Sequence, residues 1–225
     1  MFYLFNTIHY RVWVEVKIKL SDIYAEGELT LVYGPASSGK TSLVTKIAYS
    51  EALDGKAVLF VSTENELFIE RLSDNDKVLK SIVIVPIRDY NVQHFLITKA
   101  LSKIIREYGI NVLVVDSITG LVRGEEDYAK AAYMLKHQLA SLLKEARTWK
   151  IPVILTSQVR AIIDEYEGYE ASARSILEYW CSNIVRLSII EKGFREALIE
   201  KSSNSKMENE KFLFEIVGDG IVKLG

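Results

Sequence analysis

Gly34-Pro35-Ala36-Ser37-Ser38-Gly39-Lys40-Thr41 fits the spacing G-x4-G-K-[ST]. In that pattern backbone N–H groups wrap phosphate oxygens and the lysine neutralises the terminal ones. The loop works only where a buried strand delivers it to a helix N-terminus, whose aligned peptide dipoles attract anions. Its surroundings supply that frame. Residues 29–33 form a short apolar run, and Leu43, Val44, Ile47, Ala48 and Ala52 follow at helical spacing. A glycine-rich turn without a ligand is the plain alternative, and it would not require this strand-loop-helix order. The candidate phosphate-binding set is Gly34, Pro35, Ala36, Ser37, Ser38, Gly39, Lys40, Thr41 and the adjoining Ser42, with the Thr41 hydroxyl placed for Mg²⁺.

The same alternation continues along the chain. Strands are expected at 57–62, 82–85, 112–115 and 153–156, and helices at 66–72, 92–108 and 128–149. Strands alternating with helices imply a parallel sheet covered on both faces. Beyond residue 183 the helical pattern stops, and 184–190, 197–201, 212–217 and 221–224 read as strands separated by Gly193, the polar run 202–209 and Gly218-Asp219-Gly220. An antiparallel tail is therefore expected. Upstream, Val12, Val14, Val16, Ile18 and Leu20 alternate with polar or bulky partners, which predicts an edge strand over 10–20. The expected organisation is one α/β domain over 1–225: an N-terminal strand segment 1–26, an α/β core 27–182 and antiparallel strands 183–225.

Composition narrows the function classes. Hydrophobic residues make up 49% of the 225 and charged residues 26%, which is globular rather than disordered. No apolar run approaches the length a membrane span needs. Residues 1–10 have neither a basic start nor a small-residue cleavage site, and the single Cys181 forms no internal disulfide or zinc cluster, so a cytoplasmic location is expected. A formal net charge of -2 argues against binding nucleic acid by bulk charge.

Other candidate residues fall at predicted strand ends. Val112-Leu113-Val114-Val115 runs into Asp116, the form in which a carboxylate holds Mg²⁺ beside a phosphate loop. Glu64, just past the strand 57–62, is placed either to orient an attacking water or to start the next helix, where Glu66 would serve equally. Gln158 closes Thr156-Ser157-Gln158 and is either a γ-phosphate sensor or a loop amide bonded to backbone.

Taken in order, residues 34–41, Phe60-Val61-Ser62-Thr63-Glu64-Asn65, Asp116-Ser117-Ile118-Thr119 and Ile154-Leu155-Thr156-Ser157-Gln158-Val159 resemble the RecA/RadA recombinase superfamily, and within it archaeal RadB-like paralogues. The likeness extends over 27–224 and includes Phe214-Glu215-Ile216 before Asp219-Gly220-Ile221. It implies a RecA-like P-loop NTPase core, with ATP and Mg²⁺ as ligands, Glu64 as catalytic glutamate and Gln158 as phosphate sensor. Two DNA-facing loops are implied, one near 121–127 with Arg123 and one near 160–175 with Arg160 and Arg174. The second departs from a DNA-binding pattern, because Asp164, Glu165, Glu167 and Glu170 outnumber its arginines and repel phosphates. Lys201 resembles a lysine that neighbouring subunits direct at the γ-phosphate, although Ser203 stands where KaiC-like proteins carry arginine. A surface lysine at a strand end is its simpler reading.

With the phosphate loop beginning at residue 34, no helix-hairpin-helix DNA-binding domain is expected before it, and Phe2 and Phe5 have Phe5 and Ile8 three positions on, so neither starts a Phe-x-x-Ala motif. The resemblance then implies a recombinase paralogue or mediator with slow ATP hydrolysis, partnered by a RecA/RadA-type recombinase or by itself, with single-stranded DNA bound weakly. Two rival readings are a KaiC-like regulatory ATPase without DNA, and a docking module in which ATP is a structural ligand. The aromatic start Phe2, Tyr3 and Phe5 suits either partner docking or core packing.

Overall fold

The structure, a computed structural model, describes residues 18–63, 76–124, 127–158, 169–190, 193–217 and 220–224. Nine strands form one sheet: β1 (Leu29–Tyr33), β2 (Val58–Ser62), β3 (Ile82–Pro86), β4 (Val112–Asp116), β5 (Val153–Ser157), β6 (Asn183–Ile189), β7 (Phe194–Lys201), β8 (Lys211–Val217) and β9 (Gly220–Leu224). Their order is β3-β2-β4-β5-β1-β6-β7-β8-β9. The first six in that order pair in parallel. The last three add as antiparallel neighbours. The α/β architecture with an antiparallel extension thus agrees with the sequence pattern.

Helices α1 (Lys40–Leu53) and α2 (Asp76–Lys80) cover one face. The other carries α3 (Tyr90–Phe95), a π-helical turn (Leu96–Ala100), α4 (Leu101–Tyr108), α5 (Tyr128–Trp149) and α6 (Tyr169–Trp180). The central strands are buried on both faces because their residues alternate between the two layers. On β1, Leu29, Leu31 and Tyr33 pack toward α5 and α6, while Val32 packs toward α1. Helix ends follow local chemistry. The carboxylates of Asp89 and Asp127 accept from the N–H groups of Val92 (2.9 Å) and Lys130 (3.0 Å), capping α3 and α5.

Several elements differ from expectation. Of the strand expected over 10–20, only 18–20 is described, and it is not strand: Leu20 opens a 3-10 turn (Leu20–Ile23), with Ile18 and Ile23 tucked into the α1-side core. The run 160–175, expected as a solvated loop or helix rather than a strong DNA-binding loop, is helical from Tyr169 onward, because Ala173, Ile176 and Leu177 share an apolar face buried against the sheet. Helix α2 and the π-helical turn inside 92–108 were not anticipated. The helix expected over 66–72, the acidic residues Asp164, Glu165 and Glu167, the aromatic start Phe2, Tyr3 and Phe5, and the turn residues Gly218 and Asp219 lie outside the described residues.

Candidate functional site

Parallel pairing brings the chemistry-bearing strand ends to one rim of the sheet. Ser62 pairs with Asp116, and Tyr33 pairs with both Ser157 and Arg186. Residues 34–39 therefore leave β1 beside the ends of β4 and β5, the crevice where open α/β sheets bind ligands.

The loop is shaped by what packs behind it. A Cβ on Gly34 would stand 2.4 Å from the Leu187 carbonyl oxygen of β6, so that position has room only for hydrogen. Gly39 has φ +93°, and a Cβ there would meet the Ile216 Cδ1 of β8 at 2.8 Å. At the loop tip, Ser37 takes φ 61° and its carbonyl accepts from the Arg195 Nε of β7 at 3.1 Å. The antiparallel extension is thus the wall that holds the phosphate loop.

Lys40 is buried, and its ammonium donates to the carbonyls of Gly34 (3.0 Å) and Pro35 (2.8 Å). Asp116 is buried at 2% exposure. Its carboxylate accepts from the hydroxyl of Thr156, and the Thr41 hydroxyl lies near enough to favour its charged form. Burial pushes the Asp116 carboxyl above its ordinary value, while the two hydroxyls and the Lys40 charge pull it back. Thr41 and Asp116, 75 positions apart in the chain (116 - 41), therefore meet at the base of the loop.

Beyond Asp116 the chain is locked to β2. The Thr63 N–H donates to the Asp116 carbonyl at 2.8 Å, the Thr63 hydroxyl donates to the Ser117 carbonyl at 3.1 Å, and the Ser117 N–H donates back to Thr63 Oγ1 at 2.9 Å. The peptide bond between Asp116 and Ser117 is cis. These contacts fix the last described residue before Glu64, which itself lies outside the described residues. Gln158 is half-buried, one position past β5. The hydroxyls of Ser157 and Thr119 meet at 2.9 Å, tying the end of β5 to the segment after β4.

The expected DNA-facing and trans-acting residues have mixed positions. Arg123 falls in a 3-10 turn (Leu121–Gly124) after β4, and its side chain is outside the described set, as is all of Arg160. Arg174 lies on α6, where its guanidinium pairs with Glu178 at 2.6 Å and sits 5.3 Å from the Tyr33 ring centroid. Lys201 pairs across from Ile184, at the opposite end of β6 from the loop, and donates to the carbonyls of Cys181 (2.7 Å) and Glu178 (3.3 Å). That places it as a cap on the last turn of α6 within the same chain.

Sequence reasoning missed a polar cluster under the loop. The Tyr33 hydroxyl donates to Glu200 at 2.6 Å, and Arg186 donates to the other Glu200 oxygen at 2.6 Å. Burial and the adjoining Glu200 carboxylate push the Tyr33 phenol well above its ordinary value. A register shift in the β6–β7 pairing turns both Glu200 and Lys201 toward α6. No sequence pattern announces it, because alternation predicts opposite faces for neighbours.

A model described as "ATPase: KaiC" matches residues 17–224. The chain belongs to the KaiC/RecA-like ATPases. Among this family's proteins, the "DNA repair and recombination protein RadB" of Methanocaldococcus jannaschii is 37% identical over 206 residues, covering 87% of this chain and 93% of that protein. The protein of the same name from Methanococcus maripaludis is 33% identical over 203 residues, covering 86% of this chain and 90% of the relative. The crystal structure of the RadB recombinase superposes with a TM-score of 0.73 at 30% identity, over 90% of this chain and 93% of that one. The fold is therefore RecA-like, as the sequence resemblance implied, and its ATPase-type domain implies nucleotide binding. Among the described residues no helix is long and apolar enough to cross a membrane.

Proposed function

We propose that this chain is a cytoplasmic RecA-like accessory ATPase, a recombinase paralogue or mediator that binds MgATP, hydrolyses it slowly and serves homologous recombination and DNA repair beside a recombinase. The observation that carries the reading is the meeting of Thr41 and Asp116 under a phosphate loop whose glycines are sterically required. The donor set fits a hard divalent cation: one carboxylate and one hydroxyl oxygen, with phosphate oxygens to complete the shell. Thr41 and Asp116 would hold Mg²⁺, which when bound neutralises charge on the phosphates. The backbone N–H groups of residues 36–39 bind phosphate oxygens, and Lys40 turns from the loop carbonyls to the terminal phosphate. Glu64, following the locked Thr63, orients the attacking water, and Gln158 reports the γ-phosphate to the segment after β5. The DNA-repair part rests on the names of the RadB relatives.

Replacing Glu64 with Gln tests the assignment. Turnover should fall at least tenfold while MgATP affinity stays within about threefold; undiminished turnover removes Glu64 from the mechanism. The family match to KaiC favours one rival, a regulatory ATPase without a DNA role. Turnover measured with and without single-stranded DNA separates the two, because only the recombination reading predicts stimulation.

A further inference from the structure

Residues 90–106, running from α3 into α4, and residues 128–144 of α5 contain Lys99, Lys103, Arg106, Lys130, Lys136 and Lys144 and no Asp or Glu. In a chain whose net charge is -2, that is a segregated surface. The two segments lie side by side. His94 and His137 stack across them with ring centroids 6.3 Å apart, and Tyr133 lies 4.6 Å from His137.

Among the cations stand large apolar side chains that core packing does not use. Phe95 is 62% exposed, Tyr133 61%, Tyr128 58% and Val92 53%. Four described acids flank the two segments. Asp89 and Asp127 cap the helix starts, Glu107 pairs with Lys103 at 3.8 Å, and Glu145 lies 3.5 Å from Lys144. Lys99, Arg106, Lys130 and Lys136 make no ion pair among the described residues. Exposed aromatics interleaved with unpaired cations match the chemistry of a single strand, whose phosphates need positive charge and whose bases stack on π-faces.

We propose that this α3–α5 face binds single-stranded nucleic acid, with phosphates on Lys99, Lys130 and Lys136 and bases stacked on Phe95 and Tyr133. The inference rests on the recombination reading above and gives it a surface. A path to the ATP site is built in. The fully buried Gln93 amide of α3 donates both to the Ile118 carbonyl (3.0 Å), two residues after Asp116, and to the buried Gln138 of α5 (2.8 Å). A strand seated on the two helices therefore bears on the segment that carries the Mg²⁺ ligand.

The test uses the full chain and a fluorescein-labelled oligo(dT) in anisotropy titrations at low salt, with MgATP affinity measured in parallel. The double reversal Lys130→Glu/Lys136→Glu should weaken oligonucleotide binding at least tenfold and flatten the log-log salt slope by about 1.4, two contacts at roughly 0.7 each. Phe95→Ala/Tyr133→Ala should weaken it by roughly thirtyfold, two bases at about 1 kcal/mol each, the low end of base–aromatic stacking. The control Lys80→Glu/Lys206→Glu makes the same charge change on exposed lysines elsewhere and should have a smaller effect. Binding that survives the α5 reversal, or falls equally in the control, overturns the face while leaving a DNA role standing. Absence of wild-type binding at low salt overturns both. Displacement by polyglutamate together with indifference to the aromatic substitutions would assign the face to an acidic protein segment instead. All variants should retain wild-type MgATP affinity; its loss would mean that the substitutions disturb the fold, and would also overturn the assignment.

Discussion

Thr156→Val exchanges a hydroxyl for a methyl of nearly the same volume, so its cost isolates one hydrogen bond. The Thr156 hydroxyl donates to the buried Asp116 carboxylate, a charged acceptor with little water to replace the lost donor. A hydrogen bond to a charged group contributes about 1.5–3 kcal/mol. For a chain of this size that corresponds to a fall in Tm of roughly 3–12 °C. Thr30→Val supplies the contrast. Thr30 is equally buried on β1, but its hydroxyl has no hydrogen-bond partner among the described residues, so the same exchange should be neutral or stabilising. Thermal unfolding followed by circular dichroism reads both. Thr156→Val should also weaken Mg²⁺-dependent nucleotide binding, since Asp116 loses one of the groups that orient it. Equal costs for the two variants would refute the reasoning, because burial of a hydroxyl rather than its partner would then set the energy.

Two further predictions concern the loop wall and the lone thiol. Arg195→Ala removes the tether on the Ser37 carbonyl and should weaken ATP binding by about fivefold, near 1 kcal/mol, with Tm almost unchanged because the bond lies at the surface; unaltered affinity would show that the tip holds φ 61° unaided. Burial pushes the Cys181 thiol up to about 12, so it should resist thiol reagents at pH 8 until the chain is unfolded. Its contribution to stability is complete below the unfolded value of about 8.5 and is lost as pH rises from there toward the folded value. Cys181→Ala should accordingly flatten the alkaline fall in stability, by up to about 1.4 kcal/mol per pH unit, and an unchanged slope would place the loss on other groups.

The parts of the molecule legible in the sequence are those whose signal is local. The loop spacing at 34–41, the apolar run into Asp116 and the helix 128–149 each state their structure within a few residues, and the structure reproduces them. Helix α6 was obscured because the sequence just before it is acidic and ends in Gly168, while the face that stabilises it, Ala173, Ile176 and Leu177, has meaning only against β1 and α5. The Tyr33–Glu200–Arg186 cluster and the Arg195 tether were hidden for a related reason. Each joins residues far apart in the chain that meet because β1 inserts between β5 and β6. Thr156 was visible as part of a polar triplet, but its donation to Asp116 depends on β4 and β5 being neighbours.

The central claim is that the loop at 34–41 binds MgATP with Lys40 on the terminal phosphates and with Thr41 and Asp116 on the metal. Equilibrium binding of a fluorescent ATP analogue, with and without Mg²⁺, to the wild type, Lys40→Ala and Asp116→Asn tests it most directly. Tight Mg²⁺-dependent binding by the wild type, abolished by Lys40→Ala and stripped of its Mg²⁺ dependence by Asp116→Asn, is the predicted result. Unchanged affinity in folded Lys40→Ala, or full Mg²⁺ dependence in Asp116→Asn, would contradict it.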